Sequence, residues 1–590
     1  MIKRLSGAAL LTTLAITPYA RAIDPVFSHQ TAAAGLSMTH SSTGFTNANY
    51  AGGGAVADFN NDGFQDVFAC SGGGGSAPDK LFINNGDGTF TDQAAAWGLT
   101  VAHKGKGCAV GDYNKDGWLD LYVTSAGPAG GGSAAGHHKL YHNNGDGTFT
   151  NVATAAGVNS TGTSENAWGP TFTDYDLDGD LDLFVAAFST GGTRLFRNNG
   201  DGTFTNVTAT SGTGGGPLLA GISSLSGFMP RFVDVDGDHH PDLYLVADFG
   251  TSRYFKSNGD ATFTNMTASS GTCLEENGMG GTIGDFNRDG KLDWYVTSIY
   301  LPGIGWTGNK IYRNNGDHSY LQYASTAGVH DGGYGWGAVA IDFNHDGWQD
   351  IAETNGDGAG SGTFFNEQSY LWVSNGMLNT YTEMAIATGF VQFGAGGYNH
   401  GKGRGMVSFD AENDGDQDVL IFSNNEPNFF LRNDLPAQAD THWLRVFLDT
   451  SADPGLAPHG INCQITATVG SASLLRSIDG AVSYLSQSEL SAHYGLATAT
   501  SVDLLSVLAP NGRVTGLANV PADQTLTLHI GLIGDMNADG AADLLDVPLF
   551  EGCLSGPGGG VGVACPQGDA EPDGDIDLGD FALFQNEFTG

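Results

Sequence analysis

The sequence predicts a mainly β protein: a seven-bladed β-propeller closed by the N-terminal strand, then a small β-rich domain and a short α-helical segment with paired acidic loops. Three observations carry this expectation. A nine-residue acidic loop recurs seven times, a hairpin motif recurs between its copies, and a segment missing from the last unit is present near the N-terminus.

The acidic repeat is Asp-x-Asp/Asn-x-Asp-Gly-x-x-Asp. Its oxygen-bearing positions 1, 3, 5 and 9 are Asp58, Asn60, Asp62 and Asp66; Asp112, Asn114, Asp116 and Asp120; Asp174, Asp176, Asp178 and Asp182; Asp234, Asp236, Asp238 and Asp242; Asp285, Asn287, Asp289 and Asp293; Asp342, Asn344, Asp346 and Asp350; Asp410, Glu412, Asp414 and Asp418. Calcium is a hard cation that takes six to eight oxygens, and alternate positions of a tight loop aim several of them at one centre. About seven structural calcium ions are expected here. Two copies depart from the pattern, with His239 in place of glycine and Glu412 one methylene longer than Asp.

Small or apolar runs such as GGGAVA and GGTIG precede most loops, and runs such as LYV and LYLV follow them, which reads as strand, loop, strand. The second motif, LFINNGDGTFTD in its first copy, is a hairpin whose Asn-Gly and Asp-Gly pairs supply positive φ at the turn. Its closing aromatics, Phe90, Phe149, Phe204, Phe263, Tyr320 and Tyr381, recur about every 58 residues, which suits four-stranded propeller blades. The seventh unit lacks the F-T-x-x-x-x-x-x-G segment, and Phe27 to Gly35 resembles it closely enough to complete the ring and remove exposed sheet edges.

Residues 1–22 carry Lys3 and Arg4, the apolar run AALLTTLAIT and Ala20-Arg21-Ala22, the pattern of a signal peptide cleaved near Ala22. The apolar run is about half the ~20 residues of a membrane span and no longer one follows, so a secreted or cell-surface protein without a transmembrane segment is expected. The 590 residues include 91 Gly, only 15% are charged, and the formal net charge is −41. Such acidity disfavours nucleic acid and anionic membranes as partners. Of the six cysteines, Cys553 and Cys565 are close enough in sequence to be the expected disulfide, while the pairing of Cys70, Cys108, Cys273 and Cys463 stays open.

Six residues before each acidic loop stand Gly52, Lys106, Trp168, Phe228, Met279, Trp336 and Arg404. Six strand residues span roughly 20 Å, which places this basic and aromatic ring near the mouth of the channel opposite the loops. Aromatic faces stack on sugars and Lys or Arg pairs with carboxylates, so Lys106, Trp168, Phe228, Trp336 and Arg404 are candidate contacts for an acidic glycan or a protein loop. Packing between blades is the blander reading of the same positions.

These repeats resemble FG-GAP/VCBS repeats of the integrin-α-like type, and the chain resembles the cartilage-acidic-protein-like family, which joins such a propeller to an ASPIC/UnbV domain. THWLRVFLD, HGINCQITATVG, SYLSQSELSAHYGL and SVDLLSVLAPNGRV carry the second part of that likeness. GDMNADGAADLLD and GDAEPDGDIDLGD resemble the paired EF-hand-like loops of a dockerin, whose ligands carry over as Asp535, Asn537, Asp539, Asp543 and Asp546, then Asp569, Glu571, Asp573, Asp577 and Asp580. The resemblance implies two further calcium ions and a cohesin-like partner. It divides the chain into a leader (1–22), a propeller (23–434), an ASPIC/UnbV-like domain (435–531) and a dockerin-like domain (532–590).

No G-x-S-x-G or H-E-x-x-H signature occurs, and the phosphate-loop-like run from Gly396 to Lys402 is followed by Gly403 rather than Ser or Thr. His493 is as readily a packed histidine as a catalytic one. The expected function is therefore calcium-dependent adhesion or recognition of an extracellular glycan or protein, with the tail attaching to a partner. The alternative is a polysaccharide-degrading lyase or glycosidase, or an accessory subunit of one.

Overall fold

The computed structural model describes residues 23–590 except 42–46, 73–76, 129–136, 161–166, 358–362, 365–366, 392, 395–396, 399–401, 437–439, 481, 533, 544, 556–559, 563–564, 570–575, 578–579, 582 and 585–590. The leader with its cleavage site, Gly396, Glu571 and Asp573 lie outside the described residues.

Each repeat folds as an open antiparallel sheet of four strands. In the first sheet Gly54–Ala57, Asp66–Ala69, Lys80–Asn84 and Phe90–Asp92 pair in sequence order. The acidic loop joins the first two strands, and Gly86 and Gly88 turn the second hairpin at φ +78° and +73°. Five more sheets follow the same order. The seventh has Gly403–Phe409, Asp418–Ser423 and Phe429–Asn433, and its fourth strand is Phe27–His29, with Phe27 opposite Asn433.

Successive sheets meet through apolar faces that no single sheet could bury alone. One cluster joins Phe409, Leu420 and Phe430 of the seventh sheet to Val56, Phe82 and Phe90 of the first, so the last sheet shares a core with the first. Burying each such side chain contributes about 1.5–3 kcal/mol. Hydrogen bonds repeat the same order. Phe90 N donates to Ala34 O at 2.8 Å, Phe149 N to Trp97 O at 2.9 Å, Phe204 N to Ala156 O at 2.9 Å, and Phe27 N to Thr388 O at 2.7 Å.

The first strands approach one another closely enough to require glycine. A Cβ on Gly107 would lie 2.8 Å from Trp168 O, on Gly169 1.9 Å from Phe228 O, on Gly280 2.5 Å from Trp336 O, on Gly337 2.6 Å from Arg404 O, and on Gly405 2.8 Å from Gly52 O. The neighbouring carbonyl stands where any side chain would begin.

The C-terminal β region has two sheets. His442–Asp449 pairs with Ala492–Ala497 antiparallel and with Gln524–His529 parallel. Gln464–Val469 pairs with Ala472–Ser477 and Ser501–Leu508, and the latter with Val514–Pro521. From this region residues 479–480 and 482–488 run between the first strands of the sheets. Gln487 accepts from Val110 N (2.8 Å) and donates to Val110 O (3.1 Å), while its backbone pairs with Val56 N and Gly54 O. Ser483, Ser486 and Ser488 hydroxyls accept from Ala338 N, Gly54 N and Ser408 N. The buried Arg231 guanidinium chelates Asp479 at 2.8 and 2.9 Å. These bonds satisfy backbone groups that the first strands could not pair among themselves.

The tail contains the helix Val547–Cys553, with Pro548 in its first turn where the missing N–H costs nothing, and the disulfide Cys553–Cys565. Among the described residues no helix is long and apolar enough to cross a membrane.

Candidate cation sites in the acidic loops

Each acidic loop is wound on its first aspartate. In loop one Asp58 Oδ1 accepts from Asp62 N at 3.1 Å and Oδ2 from Gly63 N at 2.7 Å, while Asp62 Oδ1 accepts from Phe64 N at 2.9 Å. The ninth residue is anchored from below, since Asp66 accepts from Phe59 N at 3.0 Å and from Asn84 N at 2.8 Å. The other six loops repeat most of these bonds. His239 adopts φ +71°, the left-handed backbone of the glycines it replaces, and its N–H still reaches Asp234 Oδ2 at 3.0 Å. Sequence departure therefore leaves the local turn intact.

All seven ninth-position aspartates, Asp66, Asp120, Asp182, Asp242, Asp293, Asp350 and Asp418, are fully buried. Burial, reinforced by the neighbouring carboxylates, pushes Asp66 up to about 8 and Asp120 to about 9, and holds Asp174 at about 8. Loops of hard oxygen donors whose ionised form is this disfavoured without a counter-charge fit a divalent cation that takes oxygen ligands. In loop three, carboxylate oxygens of Asp174, Asp176 and Asp182 converge within 4.8 Å, as do those of Asp234, Asp236 and Asp238 in loop four.

Loop four differs in charge balance. Burial raises the Asp236 carboxyl, but the Lys256 hydrogen bond and the charges of His318 and Lys256 outweigh it and hold the group below its usual range.

The Asn before the Asn-Gly pair of the second hairpin, to which the sequence assigned no role, caps the turn through its side chain, with Gly86 N donating to Asn84 Oδ1 at 2.9 Å. The structure gives it a second role: Asn84 Nδ2 donates to Ala411 O (2.8 Å), Asn143 to Phe59 O (2.9 Å), Asn198 to Tyr113 O (2.8 Å), Asn314 to Val235 O (2.7 Å) and Asn433 to Phe343 O (2.9 Å). Each amide reaches back to the acidic loop of the preceding sheet. Position four links loops forward, with Asn413 Nδ2 on Gly63 O, Asn61 Nδ2 on Gly117 O and Arg288 Nε on Gly347 O.

The C-terminal region rests on the same loops. Arg445, 1% exposed, pairs with Asp410 Oδ2 at 3.1 Å and hydrogen-bonds Asn413, and Asn462 donates to Asp174 O at 2.6 Å. His493 is buried, bonds Gly415 O through Nε2 at 3.0 Å, and is held neutral by burial; it is a packed histidine.

The candidate ring converges but is not an open site. Trp168, Phe228, Met279 and Trp336 share a core cluster with Tyr484 and Leu485, and Lys106, Trp168, Phe228, Trp336 and Arg404 are at most 1% exposed. Lys106 stacks on Trp168 at 4.1 Å and Arg404 on Trp336 at 3.9 Å. Tyr484 fills the space and donates its hydroxyl to Tyr50 O at 2.8 Å. The expectation of a reachable ligand ring fails because a segment from the C-terminal region occupies it, and the basic groups spend their charge on their own aromatic neighbours.

In the tail, Asp535 accepts from Asp539 N at 3.0 Å and Gly540 N at 2.8 Å, and the buried Asp546 accepts from Met536 N and Asp543 N. Asn537 bonds Asp539 at 2.8 Å. In the second loop Asp580 is buried and accepts from Asp577 N, with Asp569 half-buried.

The family described as FG-GAP-like repeat matches residues 42–123, 129–185, 174–245 and 234–296, the stretch of the first acidic loops and their sheets, and the family described as ASPIC and UnbV matches residues 454–532. The sheet and loop pattern itself continues past residue 296, through Asp418. Among characterised proteins the chain is similar to cartilage acidic protein 1. It is 23% identical to the Homo sapiens protein over 252 residues (40% of this chain, 35% of the relative) and 25% identical to the Xenopus tropicalis protein over 285 residues (46% and 40%). The matched region thus covers well under half of each relative's length.

Proposed function

We propose that the protein is a secreted, calcium-binding, seven-bladed β-propeller closed by its N-terminal strand, acting as an extracellular recognition or adhesion module for a glycan or protein. The observation that carries this reading is the recurrence of one oxygen-rich loop geometry, each copy ending on a fully buried aspartate whose ionised form burial disfavours. Calcium is then structural. Affinities of about 10⁻⁴–10⁻³ M, typical of extracellular modules, would keep the sites loaded outside the cell.

The tail, residues 532–590, is proposed as a dockerin-like domain carrying two more calcium ions and attaching to a cohesin-like partner. The loop wound on Asp535 supports this, since it copies the hydrogen bonds of the acidic loops of the sheets. Because Tyr484 fills the aromatic ring, recognition falls to surfaces outside it, where the exposed large apolar groups include Phe249, Ile304, Met377 and Leu378.

Calcium titration of the full chain by calorimetry, with thermal melting in calcium and in chelator, tests the metal reading. A loss of at least several degrees in chelator is expected, and equal melting temperatures would overturn it. Glycan and protein arrays probed with the calcium-loaded chain test recognition.

A further inference from the structure

Three departures from the repeat, scattered in sequence, meet at the fourth acidic loop. Lys256 occupies the position held by Ile83, His142, Arg197, Arg313, Val373 and Arg432 in the other sheets; Tyr254 stands where the others carry aliphatic residues or Phe; and His318 stands where the first three hairpins carry glycine. The Lys256 ammonium lies 2.8 Å from Asp236 Oδ2 and 2.9 Å from Asp238 Oδ2, bridging positions three and five of the loop. His318, from the fifth sheet's hairpin, places Nε2 2.6 Å from the same Asp236 oxygen. Tyr254 holds the other side of the imidazole, its hydroxyl 2.5 Å from Nδ1 and 3.1 Å from the buried Asp242.

We infer that the fourth loop is not a calcium site: the chain supplies its own cation there, with the Lys256 ammonium standing where the other loops take a metal ion. This rests on the calcium reading of the remaining loops. The convergence of Asp234, Asp236 and Asp238 is the arrangement a metal would use, but the space between positions three and five is filled by an ammonium and an imidazole. An ammonium offers three donors to carboxylates and no vacancy for a second cation. Loop three, whose carboxylates converge as tightly, has no such neighbour: Arg197 at the equivalent position is exposed. Among the described residues, basic groups elsewhere approach their loops without bridging positions three and five: His142 Nδ1 lies 3.2 Å from Asp120 Oδ1 and 3.8 Å from Asp116 Oδ2, at positions nine and five. Arg432 approaches Glu412 at 3.5 Å while pairing with Asp434 at 2.6 Å, and Arg445 meets Asp410 only at Oδ2, the oxygen that also accepts from Gly415 N.

The sheets would then carry six calcium ions rather than seven, and the fourth would keep its loop in order when calcium is removed. Native mass spectrometry of the full chain in calcium, comparing wild type with Lys256→Gln, reads the difference directly: one additional ion in the variant is expected, and an unchanged count overturns the inference. Crystals of the wild type grown in calcium give the second reading, independent of whether the variant folds. Anomalous density at six loops and none at Asp234–Asp242 supports the proposal, whereas density at all seven overturns it alone. No calcium at any of the seven overturns both it and the calcium reading.

Discussion

Asn84 of the first sheet donates its side-chain N–H to the carbonyl of Ala411, in the acidic loop of the seventh, across 2.8 Å. The same bond, shifted by one unit, joins Asn143 to Phe59 and Asn198 to Tyr113. A residue type chosen by the turn is thus also the staple between units.

Asn143→Ala should therefore destabilise the protein by about 1–3 kcal/mol, because two buried carbonyls, Phe59 and Leu119, lose their donor. Denaturant melts in saturating calcium would measure it, and the calcium count should not change.

Stability without metal should depend on pH in the opposite sense from an ordinary acidic protein. Asp66, Asp120 and Asp174 have folded pKa values raised to about 8, 9 and 8 by burial, so their contribution is fully present below the unfolded value near 4 and is lost as pH rises through 8–9. In chelator the melting temperature should fall between pH 6 and pH 9, and calcium should flatten that slope.

Gly169→Ala should prevent folding or lower the melting temperature severely, since the new Cβ would sit 1.9 Å from Phe228 O. Gly191→Ala, where no atom lies within 4 Å of the added Cβ, should change it little. Equal behaviour of the two variants in thermal melts would contradict the close approach of the first strands.

Gln487→Ala removes both bonds to Val110 and leaves its buried N–H and C=O unpaired, at a cost of about 1–3 kcal/mol for each group. Because the segment carrying Gln487 ties both regions, one calorimetric transition is expected, shifted downward, rather than two.

The sheets and loops were legible because everything that defines them is local: Asp, Asn and Gly at fixed offsets, and apolar runs on either side. The N-terminal strand was legible by subtraction, as a spare segment matching a missing one. The filling of the ring was not, because Val110 and Gln487 are 377 residues apart and nothing in SYLSQS states that its hydroxyls face backbone amides. For the same reason Trp168 and Trp336 read as a surface ring, correct in register and wrong in exposure. The charge balance of loop four was hidden in a similar way, since Lys256 and His318 acquire meaning only when neighbouring sheets are side by side.

Phe27–His29 is made early in synthesis and finds its partner strand, Phe429–Asn433, some four hundred residues later; the bond from Val26 N to Asn433 spans 407 positions. Contacts that distant in sequence slow folding. Until they form, the seventh sheet has no place to grow and the emerging chain carries an unmatched strand at one end and, eventually, an unmatched edge at the other. A second chain could satisfy both ends by exchange, so refolding at high protein concentration should favour swapped dimers, and refolding at dilution should favour monomers.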